Sequence, residues 1–214
     1  MRASKKLSNL NASCCARLRR LEARLNGISV SSIGVSAEIM TSNVAIEALT
    51  SWANFSRAYY LSCFLLPKTA SKLSVSITPV VPIVDALGFA IQIWKPKAAP
   101  NTAGIWSRRD EPVWHDPNTL LRLMTIIGSS SLADVQATFS LGYTVFRDLP
   151  VCRNFFAHRN RDTENAAMNL ALRYGIAGSP RPAKMLLSFP YGGTEPLLLK
   201  WLHEIEFTVQ YLCN

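Results

Sequence analysis

Apolar residues recur along most of the chain at spacings of three and four, the period of a helix with one buried face. Between 13 and 26, Leu18, Leu21 and Leu25 stand at i, i+3 and i+7, and Asn26-Gly27 ends the run. A Ser/Gly-rich loop at 28–35 follows. From Ser36 to Leu66, Ile39, Val44, Ile46, Leu49, Trp52, Ala53, Phe55, Tyr59, Tyr60 and Phe64 form a broad apolar stripe that Pro67 stops. Asp116-Pro117 reads as an N-cap with proline in the first helical position, and Leu120, Leu121, Leu123, Met124 and Ile127 supply a buried face ended by Gly128. A helix fits 131–147, entered through Ser130 or Ser131. Another starts at Pro150, runs to about Tyr174 and stops at Gly175. After a Gly/Pro-rich loop at 175–193, the last helix (195–212) carries Leu198, Leu199, Trp201, Leu202, Ile205, Val209 and Leu212.

Residues 67–117 break this rhythm. Seven of the twelve prolines fall there, which excludes a long helix. Leu73, Val75 and Ile77 alternate with polar residues like a short strand, while 83–94 fits a short helix or an apolar strand equally. The segment is too small to bury a core of its own. The pattern therefore predicts an all-α bundle with a Pro-rich insertion between core helices. A basic N-terminal arm or helix occupies 1–26 and a helical domain 27–214. No internal repeat is present.

Charge adds one feature. Of a net +9, two thirds sits in residues 1–26, where Arg2, Lys5, Lys6, Arg17, Arg19, Arg20 and Arg24 face Glu22 alone. Such an arm suits a polyanion through counterion release, or is a solvated helix face with no ligand. The basic start is not followed by an apolar h-region, so no secretory signal is read; its Arg/Ser-rich, acid-poor character loosely resembles an organellar transit peptide. The longest nearly apolar run, Ala58 to Leu66, is too short to span a bilayer, so a soluble protein without membrane partners is expected. Five scattered cysteines with no CxxC pair (Cys14, Cys15, Cys63, Cys152, Cys213) fit a reduced cytoplasm and argue against structural zinc. Arg57, inside the aromatic stretch, either lays its stem along apolar surface or forms half of a buried ion pair.

The chemistry concentrates in Arg153-Asn154-Phe155-Phe156-Ala157-His158. On a helix Asn154 and His158 share a face one turn apart. Arg153 lies about 140° from His158 but can curl round the helix start. Asp162, one turn further, can accept the second imidazole N–H and fix the tautomer. Phe155, Phe156, Ala157, Leu170 and Leu172 are expected to root the helix in the core. If the helix begins near Pro150, its N-terminal N–H groups also favour an anion there. An Arg, an amide and a His are the parts that metal-free RNA cleavage needs. The 2′-hydroxyl attacks the adjacent phosphate while His moves protons. Arg stabilises the charge that develops on the phosphate oxygens. A single His does not easily both remove and deliver a proton, so two copies across a dimer are favoured.

The segment "RNFFAHRNRD" resembles the Arg-x4-6-His signature of the HEPN superfamily, in which a polar residue commonly follows the Arg. The long helix containing "WANFSRAYYLSCFL" is similar, more loosely, to the core helix that precedes the motif in bacterial members. The resemblance implies a HEPN-like helical bundle that works as a homodimer and cleaves RNA without a metal or other cofactor. It places catalysis on Arg153 and His158 with Asn154 as auxiliary. It also implies a toxin or antiphage-defence effector restrained by an antitoxin or another regulatory protein. The RNA backbone would then be held by Arg147, Arg159, Arg161, Arg17, Arg19 and Arg20. The alternative is a catalytically silent module that binds nucleic acid or protein or serves only dimerisation, in which Arg153 and His158 make local ion pairs with Asp148 or Asp162. Three other candidates are weaker. His115 stands beside Asp116, whose carboxylate is better used as a helix cap. Cys152 lies nearly two turns from His158. His203, with Glu204 and Glu206, falls on the solvated side of the last helix.

Overall fold

The computed structural model describes residues 1–28, 34–78, 83–178 and 181–214; among these it contains nine α-helices and no strand. They are α1 (Leu7–Asn26), α2 (Val35–Cys63), α3 (Ile83–Trp94), α4 (Pro117–Ile126), α5 (Leu132–Ser140), α6 (Val145–His158), α7 (Arg161–Arg173), α8 (Pro182–Leu186) and α9 (Leu197–Cys213). The all-α expectation holds. No helix among the described residues is long and apolar enough to cross a membrane. Most of the loop read at 28–35, together with Pro79 and Pro82, lies outside the described residues.

The chain divides into two compact units, one of residues 1–14, 52–142 and 209–214 and the other of 15–51 and 143–208. In the first, Trp52, Phe55, Tyr59 and Tyr60 of α2 are fully buried, as are Leu120, Leu123 and Met124 of α4. The Pro-rich stretch is tied to these aromatics by specific bonds. Trp52 Nε1 donates to the His115 carbonyl at 3.0 Å, and the Tyr60 hydroxyl donates to the Ala86 carbonyl at 3.2 Å. Arg57 is half of an ion pair, with Nε 2.7 Å from Glu111 Oε2, and Trp114 Nε1 donates to the same carboxylate oxygen at 2.8 Å. Residues 83–94 form a helix, not a strand. It passes close to Trp106: a Cβ on Gly88 would come within 2.6 Å of the indole. The alternation at Leu73–Ile77 does not make a strand either. Lys68 forms isolated bridges to Lys6 and Ser74, and Thr78 N–H donates to the Ile127 carbonyl. The backbone of this stretch is satisfied by scattered partners instead: Val75 N–H donates to the Pro67 carbonyl at 2.8 Å and Ser76 N–H to Ser130 Oγ at 3.0 Å. The Asp116 cap is as read, its side chain accepting from Asn118 N–H at 2.9 Å with Pro117 at N1.

From Leu132 onward the helix boundaries depart from the sequence reading. Helix α5 stops at Ser140, and α6 begins at Val145 rather than at Pro150, which lies inside it. The helix expected to run from Pro150 to Tyr174 is broken at Arg159-Asn160. Arg159 adopts the left-handed conformation (φ 46°, ψ 40°), and Asn160 caps α7 by accepting from Thr163 N–H at 2.9 Å. An asparagine that can cap competes with helix continuation, and here it wins. The end at Gly175 (φ 61°) is as read. The new phase of α7 buries Leu170 but turns Leu172 outward, 78 % exposed, and Ala157 is exposed as well. The loop read at 175–193 contains the short α8.

Candidate functional site

Local bonds from outside the segment explain why α6 begins where it does. Thr144 makes no side-chain cap. The orphan Val145 N–H instead donates to Glu204 Oε2 of α9 at 3.1 Å, and the same carboxylate pairs with Lys200. Glu204, read as solvated, is buried, 8 % exposed, because it supplies that missing acceptor. The first turn is thus held from α9, and Pro150 sits inside the helix, where it removes the donor for the Phe146 carbonyl and crowds it.

Asp148, on the inner face of that turn, is the hub of a polar cluster. Its carboxylate accepts from Arg147 Nε (2.8 Å) and Nη2 (3.0 Å), Arg173 Nη1 (2.6 Å) and the Tyr174 hydroxyl (2.6 Å). The Tyr174 hydroxyl also lies 2.7 Å from Thr144 Oγ1, toward which Trp201 Nε1 points at 3.4 Å. Burial by itself would raise the Asp148 pKa. The hydrogen bonds from Arg147 and Tyr174 and the charges of Arg147 and Arg173 outweigh it and hold the carboxyl below its ordinary value. Tyr174 is shifted upward by burial and by Asp148, so it stays a neutral donor. Arg147, expected on RNA, is engaged here through its guanidinium, although its side chain is 62 % exposed. Arg173 and Tyr174, with no local signal of their own, were missed.

Two turns later α6 changes character. Cys152 and Phe156 face inward and are buried; Arg153, Asn154 and His158 face solvent. Asn154 and His158 share a face as expected. The nearest engagement of Arg153 is a marginal 3.4 Å contact from Nη1 to Asn154 Oδ1. Among the described residues, no hydrogen bond or ion pair engages the side chains of His158, Arg159 or Arg161, so the local pairing of Arg153 and His158 with Asp148 or Asp162 does not occur. Asp162, read as orienting His158, sits in the first turn of α7 and makes no bond to it. His158 is the last residue of α6, not part of its first turns. The carbonyl end of a helix attracts cations, so the expected anion-binding N–H groups are not supplied by α6. The nearest helix start is that of α7, which already carries Asp162 and Glu164.

The cysteine alternative loses its chemistry. The Cys152 thiol is pushed up by burial and by Asp148, and the buried Cys63 thiol is pushed up to about 12 by burial, so neither offers a thiolate at neutral pH. His203 bridges two carboxylates, with Nδ1 2.8 Å from Glu195 and Nε2 3.6 Å from Glu22. No group of three or more His, Cys, Asp or Glu residues placed to hold a metal ion occurs among the described residues.

Of the N-terminal arginines, Arg19 is paired with Glu206 at 3.1 Å. Arg17 and Arg20 instead line a cleft of about 390 Å³ with Leu21, Arg24, Glu47, Thr50 and Ser51. Arg24 meets Glu47 at 3.1 Å with both side chains about half exposed, a pair worth at most about 1 kcal/mol.

The comparisons add no relative. No family model matches the chain, and no curated protein or solved structure is significantly similar to it.

Proposed function

We propose that the chain is a HEPN-type, metal-independent endoribonuclease working as a homodimer through Arg153 and His158. The observation that carries this reading is the contrast in how α6 uses its polar residues. Asp148 is saturated by protein donors, whereas Arg153, Asn154 and His158 lie exposed on the last two turns of the helix without an acidic partner among the described residues. An exposed imidazole with no acidic partner among the described residues suits proton transfer at a ribose 2′-hydroxyl. An unneutralised guanidinium suits a phosphate whose charge grows in the transition state. Asn154, one turn before His158, would position the sugar or phosphate. Arg159 and Arg161 extend the positive surface toward the neighbouring backbone.

In this reading one protomer's His158 removes the 2′-proton and the partner's His158 protonates the leaving 5′-oxygen. Dimerisation is then part of the mechanism. Such an activity harms its host unless it is restrained, so an antitoxin or an infection-linked activator belongs to the same proposal, as does a cytoplasmic setting.

The test is incubation of the purified protein with total RNA in excess EDTA, beside His158→Ala and Arg153→Ala. Cleavage that survives chelation and vanishes in both variants is the expected result. Intact RNA in every lane, with a dimer present, would replace this reading by a silent binding module.

A further inference from the structure

The cleft lined by Arg17, Arg20 and Arg24 contains neither Arg153 nor His158; it deepens the expectation, part of the reading above, that Arg17 and Arg20 hold an RNA backbone. The three arginines occupy i, i+3 and i+7 of α1, which places them within an arc of about 60° and along roughly 10 Å of helix. Leu21, 2 % exposed, forms the floor. The opposite wall comes from α2, where Glu47, Thr50 and Ser51 follow the same one-turn spacing. The volume, about 390 Å³, lies in the range of small-ligand clefts.

The cleft is charge-imbalanced. Glu47 accepts from Arg24 Nη1 through both oxygens, at 3.2 and 3.1 Å. Arg17 and Arg20 have no acidic partner among the described residues. Glu47 therefore behaves as an internal carboxylate that occupies one third of a guanidinium row and leaves the rest open. Three guanidinium groups in line along about two helical turns match successive phosphates of a flexible strand better than one compact anion. Arg19, next in sequence but one third of a turn away, is held by Glu206 outside the row.

We infer that this α1–α2 cleft binds the phosphodiester backbone of single-stranded nucleic acid, with Glu47 as the built-in competitor that sets its affinity. A ligand phosphate takes the Arg24 position from Glu47 while Arg17 and Arg20 engage its neighbours.

The experiment is fluorescence anisotropy of a labelled 12-nucleotide single-stranded RNA, titrated with full-length protein across a salt series. All proteins carry His158→Ala so that cleavage does not intervene. The Arg17→Ala/Arg20→Ala double variant is expected to bind about tenfold more weakly, with a salt slope shallower by about one to two units. Glu47→Gln keeps the shape, removes the competing charge, and is expected to bind about three- to tenfold more tightly. Circular dichroism verifies that both variants keep the helical fold. An unchanged affinity in the double variant overturns the assignment. So does a preference for phosphatidylserine-containing vesicles over the oligonucleotide. Because binding is read without catalysis, failure here leaves the Arg153/His158 reading to its own test, and the converse holds as well.

Discussion

The two halves of α6 use the same kinds of residue for opposite ends. In the first half, Asp148 is 1 % exposed and holds donors from residues 147, 173 and 174. In the second half, Arg153, Asn154 and His158 project into solvent. A buried carboxylate is tolerated only when its lone pairs are satisfied, and the first half meets that condition with two arginines and a tyrosine. The second half carries Arg153 and His158, which no acidic group pairs among the described residues. One half therefore fixes where the helix lies, and the other is open to solvent.

The comparison breaks most visibly at Asp148. Asp148→Ala leaves the Tyr174 hydroxyl with Thr144 alone and takes the shared acceptor from two guanidinium groups, which can rehydrate. Unfolding free energy should fall by about 3 kcal/mol in urea titration at pH 7. The pH dependence has a definite sign. Because the native carboxyl is held below its ordinary value, its contribution is full above the unfolded pKa of about 4 and is lost as pH falls through the lowered native one. The deficit of Asp148→Asn should therefore be present at pH 7 and shrink below pH 4. A deficit that is constant with pH would mean that shape alone is at stake.

Glu204 tests the same half from outside. Glu204→Ala removes the acceptor of Val145 N–H and the partner of Lys200. A cost of about 1–2 kcal/mol is expected, with faster amide exchange in the first turn of α6. Unchanged exchange there would show that Thr144 or solvent takes over the cap.

At the junction of α6 and α7 the expected sign reverses. Arg159 holds a positive φ of 46° without being glycine. Arg159→Gly should raise stability by roughly 0.5–1 kcal/mol and, under the proposed function, weaken RNA binding, since one cation is lost. Equal or lower stability would mean that the Arg159 side chain contributes packing.

These boundaries also show how far the sequence was legible. Helix existence was, because apolar spacing is a local property: the cap at Asp116, the stop at Gly175 and the Leu18/Leu21/Leu25 face all hold. The start of α6 was not, because its acceptor, Glu204, lies 59 residues away and Pro150 offered a more conspicuous local signal. Asp148 could be seen as an acid but not as a hub, since Arg173 and Tyr174 reach it from 25 and 26 residues further on. The Arg153–His158 segment was visible as a set of polar residues on a helix. Its place at the end of α6 depended on whether Asn160 capped a new helix, a choice between two local options that spacing does not decide. The N-terminal arginines divided in the same way, with Arg24 entering the cleft and Arg19 leaving it, because only the fold decides which carboxylate each meets.

The smallest expected change in stability sharpens the comparison furthest. His158 is exposed, ends its helix and has no bonded partner among the described residues, so His158→Ala should move the unfolding free energy by no more than about 0.5 kcal/mol. Losing an imidazole from the carbonyl end of a helix costs only a few tenths of a kcal/mol by charge. Arg153→Ala should be equally silent in urea. If these groups perform proton transfer and phosphate stabilisation, each change should nonetheless slow RNA cleavage by at least about 100-fold. The informative quantity is the ratio between the two readouts. Large kinetic loss with unchanged stability marks residues held for chemistry. A parallel decline in both would place His158 with Asp148, as part of what holds α6 in position, and would remove the functional difference between the two halves.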